Sequence, residues 1–161
     1  MSVDVVLHDA ASEIVDEAYE ALHPQAHPHY AALGERLTRE YLSDLFHQVV
    51  SGVVNREAVH LVQHAEQIAE ERFLAGFDLA EVQAVFNALE QAMWRRIAAA
   101  EQGPELLASV GRLSAILGAG KDALARAYVR LASCRHAPHL DVQALYGGTE
   151  GATTPTRPMT A

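Results

Sequence analysis

Cysteine is all but missing from this chain: Cys134 is the only one in 161 residues. An internal disulfide is excluded, and a lone thiol suits a reducing compartment. Long apolar runs are missing too, none approaching the roughly 18 residues a membrane-spanning helix needs. The opening Met-Ser-Val-Asp lacks the basic and apolar regions of a secretory signal. Together these absences predict a soluble, cytoplasmic chain. Positive charge is also scarce, with 12 Lys and Arg against 21 Asp and Glu and a formal net charge of −9. Nucleic acid is a poor partner for such a surface, because like charges repel across the phosphate backbone.

What is present is globular composition, half hydrophobic and a fifth charged. The length suits one domain that buries a core without metal or disulfide support. The charge is unevenly placed. Residues 1–50 hold nine acidic groups against Arg36 and Arg39, whereas residues 104–161 hold six basic groups against four acidic ones. Lys121, Arg126, Arg130 and Arg135 are spaced as one helix face. That face is either solvated or placed to meet acidic protein surface, including the chain's own N-terminal helix.

Helical periodicity runs through the chain with no competing strand alternation and no internal repeat. Five helices are expected, giving an all-α, globin-like or bundle-like single domain over residues 1–135. The first spans about Asp4–Leu22 and ends at His23-Pro24, since prolines cannot continue a helix. The second spans about Ala31–Ser51, and its apolar arc is wider than one core-facing stripe. The third runs from about Asn55, read as its N-cap, to Leu74, and the fourth starts after Asp78. Gly103-Pro104 opens the fifth, whose Leu106, Val110, Leu113, Leu117, Gly120, Leu124, Ala127 and Leu131 form a heptad seam. Gly118 and Gly120 sit mid-seam, where glycine costs about 1 kcal/mol against alanine. Close approach of another helix, or a kink, would offset that cost. Residues 136–161 have little to bury and are expected to be a flexible tail, with Thr149, Thr153, Thr154 and Thr156 open to modification.

The joint between the third and fourth helices is the most firmly specified point of the sequence. Gly76 supplies a left-handed residue that closes a helix without a Cβ clash. Asp78 suits an N-cap, and Glu81 three residues on completes a capping box. Phe77, before the cap, is placed to staple onto Val82.

Catalytic motifs are lacking: no nucleophile motif, phosphate-binding glycine loop or zinc cysteine cluster occurs. Gly118-Ala119-Gly120-Lys121 has neither the spacing nor the context of a P-loop. His60 and His64 stand at i, i+4, with Glu57 adding a Glu-x-x-His element. A di-iron bundle needs that element twice, and the second copy is missing. Both histidines also fall on the side of their helix opposite its apolar centre. They remain the candidate ligands of an alternative, haem- or metal-binding reading. His23, His27, His29, His136 and His139 read as solvated loop residues. Trp94, Arg95 and Arg96 suit the end of a helix, where basic groups meet the dipole.

The segment Ala65–Ile97 resembles the N-terminal domains of RsbR/RsbRD-type regulators, the sensor modules of bacterial stressosome proteins. The resemblance rests on Glu71-Arg72, the Gly76-Phe77 corner, the Asp78 cap and the Leu79–Glu81–Val82 helix start, and extends more loosely over Leu33–Leu131. It implies an all-helical sensory domain that dimerises and usually holds no cofactor. Such domains are normally fused to a sulfate-transporter/anti-sigma-antagonist or DNA-binding output. Here 30 residues follow Leu131, too few for either module. The expectation is a non-enzymatic regulatory domain that signals through homodimerisation and a protein partner in trans. Leu42, Phe46 and Val50 on the second helix and Val110, Leu117, Gly120 and Leu124 on the fifth are the expected dimer contacts, because one monomer should not absorb both stripes.

Overall fold

The computed structural model describes residues 2–136. The expected tail, with its threonines, lies outside the described residues. Seven α-helices follow in order: α1 Val3–Asp9, α2 Ala11–Leu22, α3 Pro28–Leu33, α4 Glu35–Asn55, α5 Val59–Leu74, α6 Leu79–Ala100 and α7 Gly103–His136, with a short 3₁₀ turn at Pro24–Ala26. The all-α expectation holds; the count of five does not.

Two expected helices are each split. Between α1 and α2 the chain relaxes at Ala10 (φ −98°, ψ 12°) while still bonding through Ala10 N–H to Val6 and Ala10 C=O from Ile14. The bend leaves Val3, Val6 and Leu7 buried on one side and Ile14, Ala18 and Leu22 on the other. No proline or glycine marks it, so periodicity reads straight through. The second split is at Gly34, whose φ of +90° is open to glycine and strained for other residues. Thr38 folds back there, its hydroxyl donating to the Gly34 carbonyl at 2.8 Å.

The α4–α5 joint also differs from expectation. Asn55 ends α4 instead of capping α5, and Arg56 takes the left-handed turn at φ +58°. The reason is packing: Gly52 brings α4 so close to α7 that a Cβ there would stand 2.8 Å from Ile116 Cγ2. The helix therefore extends past the tight contact before it turns.

Helix α7 packs most extensively on α5, α6 contacts α1, α2, α4 and α7, and α4 touches every other helix. Helices α5 and α7 run parallel, as Leu61 beside Gly120 and Phe73 against Tyr128 show. Gly120 permits the close approach its sequence position implied: a Cβ there would meet Leu61 at 3.0 Å and Phe86 at 3.4 Å. The approaching helices are α5 and α6 of the same chain.

The acidic front half finds its partners inside the fold. Arg95 meets Glu17 at 2.9 Å, Arg96 meets Glu13 at 2.6 Å, and Arg39 pairs with Asp16 and Glu35. Helix α2 is thus clasped by α6 and α4. The basic residues of α7 do not supply this clasp: Arg126 and Arg130 are exposed and form no ion pair among the described residues, while Lys121 pairs with Glu90. Among the described residues no helix is long and apolar enough to cross a membrane.

Candidate functional site: the capped corner and its buried arginine

The chain from Arg72 to Glu81 folds as its residues require. Phe77 N–H donates to the Arg72 carbonyl at 2.9 Å and Gly76 N–H to that of Phe73 at 3.1 Å, the bond pair of a Schellman motif. Gly76 sits at φ +86°, the left-handed residue the motif needs. The next helix is capped at once: Asp78 N–H donates to Glu81 Oε2 at 3.0 Å, the returning arm of the capping box. Phe77 and Val82 are both buried in the core, as a hydrophobic staple demands.

Long-range contacts then lock the corner. Tyr128 on α7 donates its hydroxyl to the Phe77 carbonyl at 3.1 Å. His29, on α3, donates its backbone N–H to Glu81 Oε1 at 3.2 Å and holds Oε2 through Nδ1 at 2.7 Å. The Phe77 ring lies 4.9 Å from both the His29 and the Tyr30 rings. Arg72 is buried with its guanidinium 3.7 Å over the Tyr41 ring and 5.4 Å from that of Phe77. Its nearest carboxylate is the exposed Glu71 at 3.6 Å, and its Nε has no hydrogen-bond partner among the described residues. The cation is held by aromatic faces more than by a counter-ion.

These contacts set the local electrostatics. Burial pushes the Glu81 carboxyl up, but the Asp78 and His29 amides and the His29 imidazole outweigh it, so Glu81 lies below its ordinary value. Burial raises the Tyr30 phenol, partly offset by the Arg72 guanidinium. Tyr128 is raised as well, by burial and then by its neighbour Tyr30. Both phenols stay protonated at neutral pH, and the Tyr128 hydroxyl acts as a donor.

The sequence singled out Glu71, Arg72, Gly76, Phe77, Asp78 and Glu81, and the structure gathers all six into this corner. It missed His29, Tyr30, Tyr41 and Tyr128. His29, by sequence a solvated loop residue, is half-buried and binds Glu81 across 52 positions. Nothing local signals such a pair. The chemistry available here is that of a rigid joint: apart from the Arg72 Nε its mapped donors are engaged, and no nucleophile stands beside a base.

The other candidates lie elsewhere. His60 and Glu57 are exposed on the surface. His64 is half-buried, and its imidazole is lowered by burial. Among the described residues no three His, Cys, Asp or Glu side chains gather to hold a metal ion.

Most of the residues expected at a dimer contact lie inside the monomer. Leu42, Phe46, Leu117, Gly120 and Leu124 are buried in the chain's own core, with Val50 and Val110 half-buried against it. The monomer absorbs both stripes because α4 is gripped by α1, α2, α5 and α7 together.

Comparison with known proteins bears on what this bundle is. No curated protein and no solved structure matches the chain, so the globin-like part of the fold expectation gains no support. A family model, the RsbT co-antagonist protein rsbRD N-terminal domain, matches residues 8–137, from α1 to the end of α7. That span covers every helix that builds the corner, and the chain belongs to the RsbT co-antagonist protein rsbRD N-terminal domain family.

Proposed function

We propose that this chain is a non-enzymatic, cytoplasmic regulatory module of the stressosome type, working through homodimerisation and contact with a protein partner. The family assignment supports the regulatory half, since its description is that of a co-antagonist of RsbT. The outward face of α7 is the observation that carries the dimer. Leu107 and Val129 are 75% and 64% exposed, large for apolar side chains on a surface. Each lies eleven residues from Gly118, close to three helical turns, so the three share one side of the helix. Gly111, Ser114 and Ala115 lie between them and are small, and nothing stands within 4 Å of a Cβ built on Gly111 or Gly118.

Two such helices crossing antiparallel at Gly118 would bring Leu107 of one copy to Val129 of the other, at both ends of the contact. A two-fold contact must be self-complementary in this way. Light scattering on the full chain should give about twice the 17.5 kDa chain mass. Leu107→Glu and Val129→Glu should each yield a folded monomer, because both side chains project from the surface. A wild-type chain that stays monomeric at hundreds of micromolar would remove the dimer from this reading.

A further inference from the structure

Beside the capped corner, where α5 ends and α7 continues past it to His136, lies a cleft of about 250 Å³. Phe73, Phe77, Asp78 and Leu79 line one side of it, and Tyr128 and Arg135 of α7 line the other. Aromatic rings dominate the walls. The Phe73 and Tyr128 rings meet edge to face at 5.7 Å, and the Arg135 guanidinium stands 5.6 Å from the Phe73 ring. Phe73 and Leu79 are only half-buried, and Leu74, next to Phe73 in the chain, is 82% exposed, the most open bulky apolar side chain among the described residues. Apolar surface gathered at one place marks a contact still to be made.

The occupant best placed to cover it is the chain itself. Helix α7 ends at His136, one residue after Arg135, so the backbone leaves the bundle at the rim of the cleft. Pro138 follows, and a proline neither continues a helix nor favours one at the residue before it. Residues 140–146 then read Leu-Asp-Val-Gln-Ala-Leu-Tyr, whereas residues 147–161 hold Met159 as their one large apolar side chain. Residues 137–140 span up to about 14 Å when extended, enough to bring Leu140 into a cleft that begins at Arg135. We propose that residues 140–146 fold back onto this cleft, burying Leu140, Leu145 and Tyr146 against Phe73 and Leu79, with Asp141 beside the Arg135 cation. A segment on so short a tether meets the cleft at a millimolar effective concentration, which favours it over a second copy. The flexible part expected from the sequence then shrinks to residues 147–161. Tyr128 in the cleft and Val129 on the dimer face differ by one position, about 100° around the helix. The two surfaces therefore point different ways, and either can fail without the other. The contact would couple the chain beyond residue 146 to the capped corner.

The test follows backbone order and side-chain contacts in the isotopically labelled full chain by NMR. Residues 140–146 should show order parameters of about 0.85, as a rigid helix does, while residues 150–160 fall below about 0.6. Methyl protons of Leu140 or Leu145 should give Overhauser contacts to the Phe73 ring. Leu140→Asp combined with Leu145→Asp should bring residues 140–146 below about 0.6 as well, and should shift the amides of Phe73, Gly76, Leu79 and Arg135. Both substitutions lie beyond α7, so the bundle should fold with them, and unmoved amides in α2 and α4 check that it does. The proposal is overturned if residues 140–146 of the wild type are as free as residues 150–160. It is equally overturned if they are ordered but the double substitution leaves the cleft amides where they were. Order that disappears as the chain is diluted would give the cleft to the segment of a second copy, and would overturn it too.

Discussion

Two joints on either side of α5 have opposite designs. The corner from Arg72 to Glu81 uses residues suited to every position: glycine where φ is +86°, an Asp–Glu capping pair, and aromatic packing on both sides. The joint from Asn55 to Ala58 puts an arginine at φ +58°, and α5 starts without a side-chain cap. The first joint is shaped by its own sequence and then locked by His29 and Tyr128. The second is held by its neighbours, chiefly the contact of Gly52 with Ile116 on α7. A turn can be fixed from within or from outside, and the two kinds should respond differently to substitution.

The largest difference should come from the glycine. Gly76→Val places a β-branched residue at positive φ and should cost about 3 kcal/mol, read as a lower midpoint in a urea melt. The space itself is not the obstacle, because a Cβ at Gly76 would meet His29 Nε2 at an ordinary 3.6 Å. A neutral Gly76→Val would mean the corner is not locked through its backbone.

Next in size is the tether from α7. Tyr128→Phe leaves the Phe77 carbonyl buried and short of its donor, at a cost of about 1–2 kcal/mol. The phenol gives way without a change of ring packing on Phe73, so the loss reports the hydrogen bond itself. If the variant melts with wild type, the corner stands on its local bonds alone.

Acid should loosen the same corner by a further, smaller step. Glu81 has a folded value below its ordinary one. Its contribution is therefore present in full above the unfolded carboxylate value and is lost as pH falls through the folded value. Stability measured from pH 6 downward should decline less steeply in Glu81→Gln than in wild type. Parallel curves for the two would show that Glu81 titrates alike in both states.

How much of this could be read beforehand follows the same division. The corner was legible because its determinants lie within ten residues: Gly76, Asp78, Glu81 and the Phe77 staple each act on near neighbours. The heptad seam of α7 was legible too, as a period, but not its destination. Periodicity says that Leu117 and Leu124 want burial, not whether a second copy or α5 of the same chain buries them. The break at Ala10 and the left-handed Arg56 left no mark, since each is imposed by packing from elsewhere in the bundle. His29 is the sharpest case: its tie to Glu81 spans 52 positions and depends on α3 folding back over the corner.

The smallest effect is the most telling for the contrast. At Arg56 the backbone is left-handed although the residue is not glycine, and the side chain is exposed with no ion pair among the described residues. Removing the side chain by Arg56→Ala should change little, because alanine meets the same positive φ. Arg56→Gly should then be more stable than Arg56→Ala by about 0.5–1 kcal/mol: glycine escapes the left-handed strain of about 1–2 kcal/mol but gives back part of it as unfolded-chain entropy. At the corner the direction reverses, since Gly76 already occupies its left-handed position and any side chain only adds strain. Chemical melts of the two Arg56 variants check this directly. An alanine variant as stable as the glycine one would mean that Arg56 leaves the left-handed region in solution, and that the α4–α5 joint is not held there by its neighbours after all.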